Sequence, residues 1–304
     1  MSVISNRRAA GKIARPRKKK GLYELIEPYI FLLPAFLVFG FFLFYPFFRT
    51  IYLSTFLTDK LGQAKVFWGF RNYTDLFTSS SFWASVGVTF QFVLIVAFGG
   101  LLVGLTTSLL TAKKYPGVTF ASAAYAMPVA IASAAASMAF RMILHPTNGL
   151  LNILFNSRIN WTGDPQWALI SVSIVTIWLA SGINFIFISA GLRNVPEELY
   201  ESASIDGANY WQKLFRITLP SISPTLFFQV IINIIGAFQS FSQIRLLTQG
   251  GPGDATTVIV YAIYRDAFFN FRFGTAAARS LILFVIVLVI TLIQFSFEKR
   301  SVNY

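Results

Sequence analysis

Six long apolar stretches constrain this chain more than any other feature. They run approximately over residues 29–48, 84–112, 118–143, 167–190, 224–244 and 276–297. Each is long enough, as a helix, to cross a hydrocarbon layer of roughly 30 Å. In lipid every backbone polar group must be satisfied within the structure, so such stretches predict membrane helices. Composition agrees: 12% of residues are charged, 55% are hydrophobic and mean hydropathy is +0.63, whereas soluble domains carry about 25% charged residues. The expected fold is all-α, a six-helix membrane domain over residues 28–297 between a basic tail (1–27) and a short C-terminal segment (298–304).

Charge sets the expected orientation. Eight of the 25 basic residues fall in the first twenty positions, with no acid among them. The segment after this tail is too long for a signal-peptide core, which predicts an uncleaved first span. Six spans place both termini on one side. That side holds 15 Lys and Arg against 8 opposite, with Arg141 and Arg279 set aside as lying in or at the edge of spans. The positive-inside rule therefore predicts cytoplasmic termini and a cytoplasmic loop between the fourth and fifth spans. The net charge of +13 is thus topogenic and lipid-directed, and does not call for a nucleic-acid partner. Arg141 and Arg279 are expected to snorkel to the interface.

The polar run 191–220, GLRNVPEELYESASIDGANYWQKLFRITLP, holds Glu197, Glu198, Glu201 and Asp206, four of the twelve acids. Pro196 suits a helix start, and Gly207 suits a left-handed bend. Two short helices around a glycine turn are expected. The second would carry Tyr210, Trp211, Leu214 and Ile217 on one side and Gln212, Lys213 and Arg216 on the other.

This run resembles the Glu-Ala-Ala loop of ABC-importer permeases. The pattern reads Glu201-Ser202-Ala203, three residues ending at Asp206, Gly207-Ala208, then Ile217-Thr218-Leu219-Pro220; only Ser202 departs from it. Further matches cover most of the chain. Phe67-Trp68-Gly69-Phe70-Arg71-Asn72-Tyr73 is similar to a signature before the second span. Asn148-Gly149-Leu150-Leu151-Asn152 follows Pro146 in the same manner. Thr248-Gln249-Gly250-Gly251-Pro252 with Thr256-Thr257 resembles the MalF-like half of the carbohydrate-uptake permeases. Phe140-Arg141 departs from the family and receives no role.

The resemblance implies a type I importer permease in the bacterial inner membrane. Its implied partners are a MalG-like second permease, two ABC ATPase subunits and an external solute-binding protein, with ATP and Mg held by the ATPases and no cofactor on this chain. Glu201, Ser202, Ala203, Asp206, Gly207, Ala208, Ile217, Leu219 and Pro220 would engage an ATPase. The chain has no G-x-x-x-x-G-K-[ST] loop of its own. With no cysteine and one histidine, His145, it offers no metal or catalytic cluster, so a transport subunit is expected and not an enzyme. No acid lies mid-span, which argues against an ion-coupled secondary transporter.

Polar residues within spans mark a candidate substrate path. Gln229, Asn233, Gly236, Ser240 and Gln243 recur at helical spacing, which predicts one face of one helix. Ala180 and Asn184 follow a similar line in the fourth span and match path positions of the family. Amides and hydroxyls suit a neutral polyhydroxyl ligand, because they both donate and accept. Interhelical hydrogen bonding is the other role open to these groups. A sugar or oligosaccharide is expected, and glycerol-3-phosphate or another polyol is the alternative; a phosphate would call for an arginine or lysine, which the stripe lacks.

Overall fold

The computed structural model describes residues 22–113 and 115–301, with the side chains of 22–26, 28 and 297–301 excepted. Most of the expected basic tail and part of the C-terminal segment lie outside the described residues, as does Lys114. The chain forms two compact units, Met1–Arg49 and Thr50–Tyr304.

In the first unit, α1 (Leu22–Phe39) is followed by a π-helical turn (Gly40–Phe44) and by α2 (Tyr45–Ser54), whose end enters the second unit. Its apolar side chains, Phe31, Phe36 and Phe42 among them, are exposed, as lipid-facing residues would be. The π turn has a local cause. Pro46 has no N–H to donate and its ring crowds the preceding turn, and the N–H of Tyr45 just before it reaches back five residues to Gly40.

The second unit opens with a hairpin, β1 (Phe56–Thr58) antiparallel to β2 (Ala64–Phe67), which hydropathy did not foretell. The short α3 (Arg71–Thr78) leads to α4 (Ser80–Thr111), a helix of 32 residues. Next come α5 (Val118–Ala126), a 3₁₀ turn (Met127–Ala130), α6 (Ser133–Ile143) and the short α7 (Leu150–Leu154). Helix α8 (Pro165–Arg193) precedes the polar loop of α9 (Glu197–Ile205), α10 (Tyr210–Lys213), a π turn (Leu214–Thr218) and α11 (Leu219–Ser221). The chain ends with α12 (Ser223–Phe238), α13 (Ser242–Leu247), α14 (Ile259–Phe268) and α15 (Phe273–Ser301).

Among the described residues four helices are individually long and apolar enough to span, and two bent pairs bring the number to six. The third expected span, 118–143, is one of those pairs: α5 and α6 meet at 107° beyond Pro128. The other pair is the helix of residues 210–221 and α12, set at 67°. The fifth span also stops earlier than hydropathy suggests. Helix α12 ends at Phe238, and the chain leaves helical geometry before α13 begins.

The core of this unit lies where α4, α8 and α12 meet, around Phe92, Val96, Val172, Val175 and Phe238. Small residues on α4 let α8 approach closely. A Cβ on Gly104 would lie 2.3 Å from that of Asn184, and one on Gly99 would lie 2.4 Å from Ile177 Cδ1. Close approach through glycine is how membrane helices gain packing where lipid provides no hydrophobic drive.

Candidate functional site: the interhelical loop and the polar face behind it

The loop after α8 is built by two successive capping devices. Glu197 and Glu198 occupy the first turn of α9, where carboxylates favour the positive end of the helix dipole. Its C-terminus closes in a Schellman motif: Ala208 N–H donates to Ala203 O (2.8 Å) and Gly207 N–H to Ser204 O (3.2 Å). Gly207 sits at φ +76°, the left-handed conformation this closure needs. Two residues on, Asn209 starts α10 with a capping box. Its side chain accepts from Gln212 N (2.9 Å), and Gln212 Oε1 accepts from Asn209 N (2.8 Å). The spacing from Ala203 through Gly207 to Asn209 is therefore the length of one helix-stop and one helix-start.

Side chains fix the two helices to each other. Lys213 Nζ donates to Ser204 Oγ at 2.7 Å, and the Tyr200 and Thr218 hydroxyls are 3.0 Å apart. The second helix then widens into the π turn Leu214–Thr218, directly before Leu219-Pro220. Leu219 N–H reaches Leu214 O, the arrangement seen before Pro46. This widening alters the expected face. Leu214 and Thr218 are buried, whereas Tyr210 and Trp211 are exposed; Trp211 stacks on Phe215, with ring centroids 6.2 Å apart.

None of the nine loop residues singled out in the sequence is buried. Glu201, Ser202, Asp206, Gly207 and Pro220 are exposed, and Ala203, Ala208, Ile217 and Leu219 are half-buried. Around them Ile205 is 88% exposed, Trp211 64% and Phe215 61%. Apolar residues uncovered together on a polar loop form a surface suited to a partner.

Behind the loop, the polar stripe divides. Asn184, Gln229, Asn233, Ser240 and Gln243 are buried, Ala180 is half-buried and Gly236 is exposed. Gln229, Asn233 and Gly236 share α12, but Ser240 and Gln243 lie beyond its end, so the five do not form one face of one helix. Asn184 and Asn233 exchange amide hydrogen bonds at 2.9 and 3.0 Å. Asn184 also donates to Ala180 O (2.9 Å) and Asn233 to Ala97 O (3.3 Å), which joins α4, α8 and α12 through one buried node. Gln229 Nε2 donates to Ile183 O (3.2 Å), and its Oε1 is buried without a partner among the described residues.

The far ends of the spans carry a second built region. Asn152 Nδ2 donates to Pro146 O and Ile159 O, while its Oδ1 accepts from Ser157 and Trp161. Asn72 Nδ2 donates to Ser54 O and Phe56 O, anchoring the hairpin. Thr256 and Thr257 donate to Gly251 O and Gly250 O, and Thr248 Oγ1 is 2.7 Å from Thr256 Oγ1. Gly250 (φ +82°) has no room for a side chain, since a Cβ would lie 2.5 Å from Tyr261. Arg265 pairs with Asp254 at 2.6 Å and holds that carboxyl below its ordinary pKa. Arg279 does not snorkel. It is 6% exposed and its Nε donates to Asp266 at 3.0 Å. The signal available in the sequence was an aspartate thirteen residues earlier, at the C-terminal end of an apolar helix.

Comparison with known proteins agrees with this architecture. The model of the family "Binding-protein-dependent transport system inner membrane component" matches residues 9–303. The sn-glycerol-3-phosphate transport system permease protein UgpA of Agrobacterium fabrum is 34% identical over 283 residues, 92% of this chain and 97% of that protein. The probable ABC transporter permease protein YurN of Bacillus subtilis is 33% identical over 286 residues, 91% of this chain and 97% of its own. A chain from the crystal structure of a bacterial alginate ABC transporter, in complex with an alginate pentasaccharide-bound periplasmic protein, superposes with a TM-score of 0.81. It is 25% identical and covers 93% of this chain and 99% of its own. These matches put the chain among transport components and not among catalysts. A six-span helical domain with a capped, exposed loop between its fourth and fifth spans is thus joined to a family match over nearly the whole length. The chain belongs to the inner-membrane components of binding-protein-dependent transport systems.

Proposed function

We propose that this chain is one of two permease subunits in an ATP-driven importer. The observation that carries this reading is the exposed loop of residues 197–221, with its uncovered Ile205, Trp211 and Phe215. In this reading the loop faces the cytoplasm, as do both termini, and docks on one of two ABC ATPase subunits, which bind ATP and Mg. Glu201, Ser202, Ala203, Asp206, Gly207, Ala208, Ile217, Leu219 and Pro220 shape the docking unit. A MalG-like subunit supplies the other half of the path, and an external solute-binding protein delivers the solute. The caps and the Lys213–Ser204 and Tyr200–Thr218 links would let the two short helices move together, so closure of the ATPases reaches the spans as a lever. Such coupling requires an element with two states biased from both ends.

The path in this reading follows α8, α12 and α13, bordered by Ala180, Asn184, Gln229, Asn233, Gly236, Ser240 and Gln243. A passing solute's hydroxyls would exchange with the buried amide bonds when the spans part. The solute is a sugar or oligosaccharide; the similarity to a glycerol-3-phosphate permease supports a phosphorylated polyol as the second reading. Purification of a C-terminally tagged chain from native membranes tests the assembly. Co-elution of an ABC ATPase and a second permease is expected; recovery of the chain alone, or only with itself, would contradict the proposal. Screening the cognate binding protein with sugars and with glycerol-3-phosphate then separates the two solutes.

A further inference from the structure

At the end of α4 remote from the interhelical loop, the α3–α4 corner meets the α14–α15 corner around a cavity of ≈ 390 Å³. Its polar lining includes Asp75, Ser79, Arg265, Asp266, Arg272 and Arg279. Three arginines outnumber two aspartates there, and their hydrogen bonds are not evenly available.

Asp266 is satisfied within the protein: its Oδ2 accepts from Arg279 Nε (3.0 Å) and its Oδ1 from Asn270 (3.2 Å). Arg279, although 6% exposed, has donors to spare. Its Nη1 makes only a long contact to Ser85 Oγ (3.4 Å), its guanidinium lies 5.5 Å from the centre of the Phe82 ring, and its Nη2 has no partner among the described residues. Arg272 is exposed and has no side-chain partner among the described residues. Arg265 spends one nitrogen on Asp254. Ser79 gives the 32-residue helix α4 no side-chain cap; its carbonyl takes the Phe82 N–H, and the N–H groups of Ser80 and Ser81 have no partner among the described residues, beside the cavity that Ser79 and Ser81 line. The carboxylate without a side-chain partner among the described residues is Asp75, exposed at the edge of the cavity. The cavity is therefore rich in unspent donors, and a guanidinium fork beside a helix N-terminus matches an acceptor-only ligand bearing several oxygens.

We propose that this cavity binds a single phosphate-type oxyanion, either free or as the headgroup of an anionic phospholipid. Arg272, Arg279 and the α4 N-terminus hold it and so tie the ends of α4 and α15 together. This site is separate from the path described above and does not depend on which solute is carried.

The test uses the full chain in phosphatidylcholine nanodiscs, comparing thermal midpoints in sodium phosphate and in sodium chloride at equal ionic strength. Phosphate is expected to raise the midpoint saturably, as a native-state ligand does. Arg279→Gln would strand buried Asp266, so the informative variants are the exposed ones. Arg272→Gln should weaken phosphate binding about 10-fold, the size of one lost charge-assisted bond. Asp75→Asn should strengthen it, a sign that a purely structural role for Asp75 would not produce. In phosphatidylglycerol nanodiscs, Arg272-dependent stabilisation without added phosphate would assign the oxyanion to the headgroup. Equal response to chloride and phosphate, or no difference between wild type and Arg272→Gln in either lipid, would overturn the proposal.

Discussion

Gly207 illustrates how one residue can serve a local geometry. A Cβ there would meet nothing within 4 Å, yet the backbone is at φ +76°. Substitution would therefore cost conformational energy and cause no clash, on the order of 1–2 kcal/mol for an ordinary L residue and more for a β-branched one. Asparagine tolerates this region better than other side chains do. Solute uptake measured beside the amount of chain in the membrane should thus separate two variants. Gly207→Val is expected to abolish most uptake with normal insertion, and Gly207→Asn to keep most of it. Equal uptake by both would show that the bend does not matter to coupling. The buried pair Asn184–Asn233 makes the complementary point. The sequence shows two amides in apolar helices, but not whether they face each other or a solute. Here each completes the other.

At the scale of elements, what was legible followed from length and period. All six spans were located by apolar runs, and the loop's two helices by Pro196, Gly207 and Pro220. The breaks were not legible, because polar spacing reads the same whether a helix continues or stops; hence the stripe from Gln229 to Gln243 looked like one face although α12 ends at Phe238. Both π turns, by contrast, have a shared cause: each precedes a proline by the same interval, at Pro46 and Pro220. Arg279 was misread because its distance from the span end suggested snorkelling, while its partner sits on α14. The ion pair joins α14 to α15, at 3.0 Å with side chains 7% and 11% exposed. Removing one partner of a buried pair costs about 3–5 kcal/mol, whereas replacing both by apolar residues is often close to neutral. Arg279→Leu should accordingly lower the unfolding midpoint in detergent sharply, and Arg279→Leu with Asp266→Leu should recover most of that loss. A double variant as unstable as the single would argue that the pair is not the reason Arg279 is buried.

For the whole molecule, the arrangement separates two built regions along the length of α4. One end carries the capped loop with its uncovered apolar residues; the other carries cross-bonded turns and the arginine cavity. Between them lies a small-residue interface of α4 with α8, closed by the amide node. A loop that transmits ATPase movement to the spans must touch an ATPase, and the absence of cysteine from the sequence permits a direct test. Ile205→Cys, at a position 88% exposed, would be labelled with a benzophenone maleimide in native membranes and irradiated, and the product identified by mass spectrometry. A cross-link to an ABC ATPase whose yield changes when ATP is trapped is the predicted result. Labelling with no protein partner, or a cross-link only to a second copy of this chain, would contradict it.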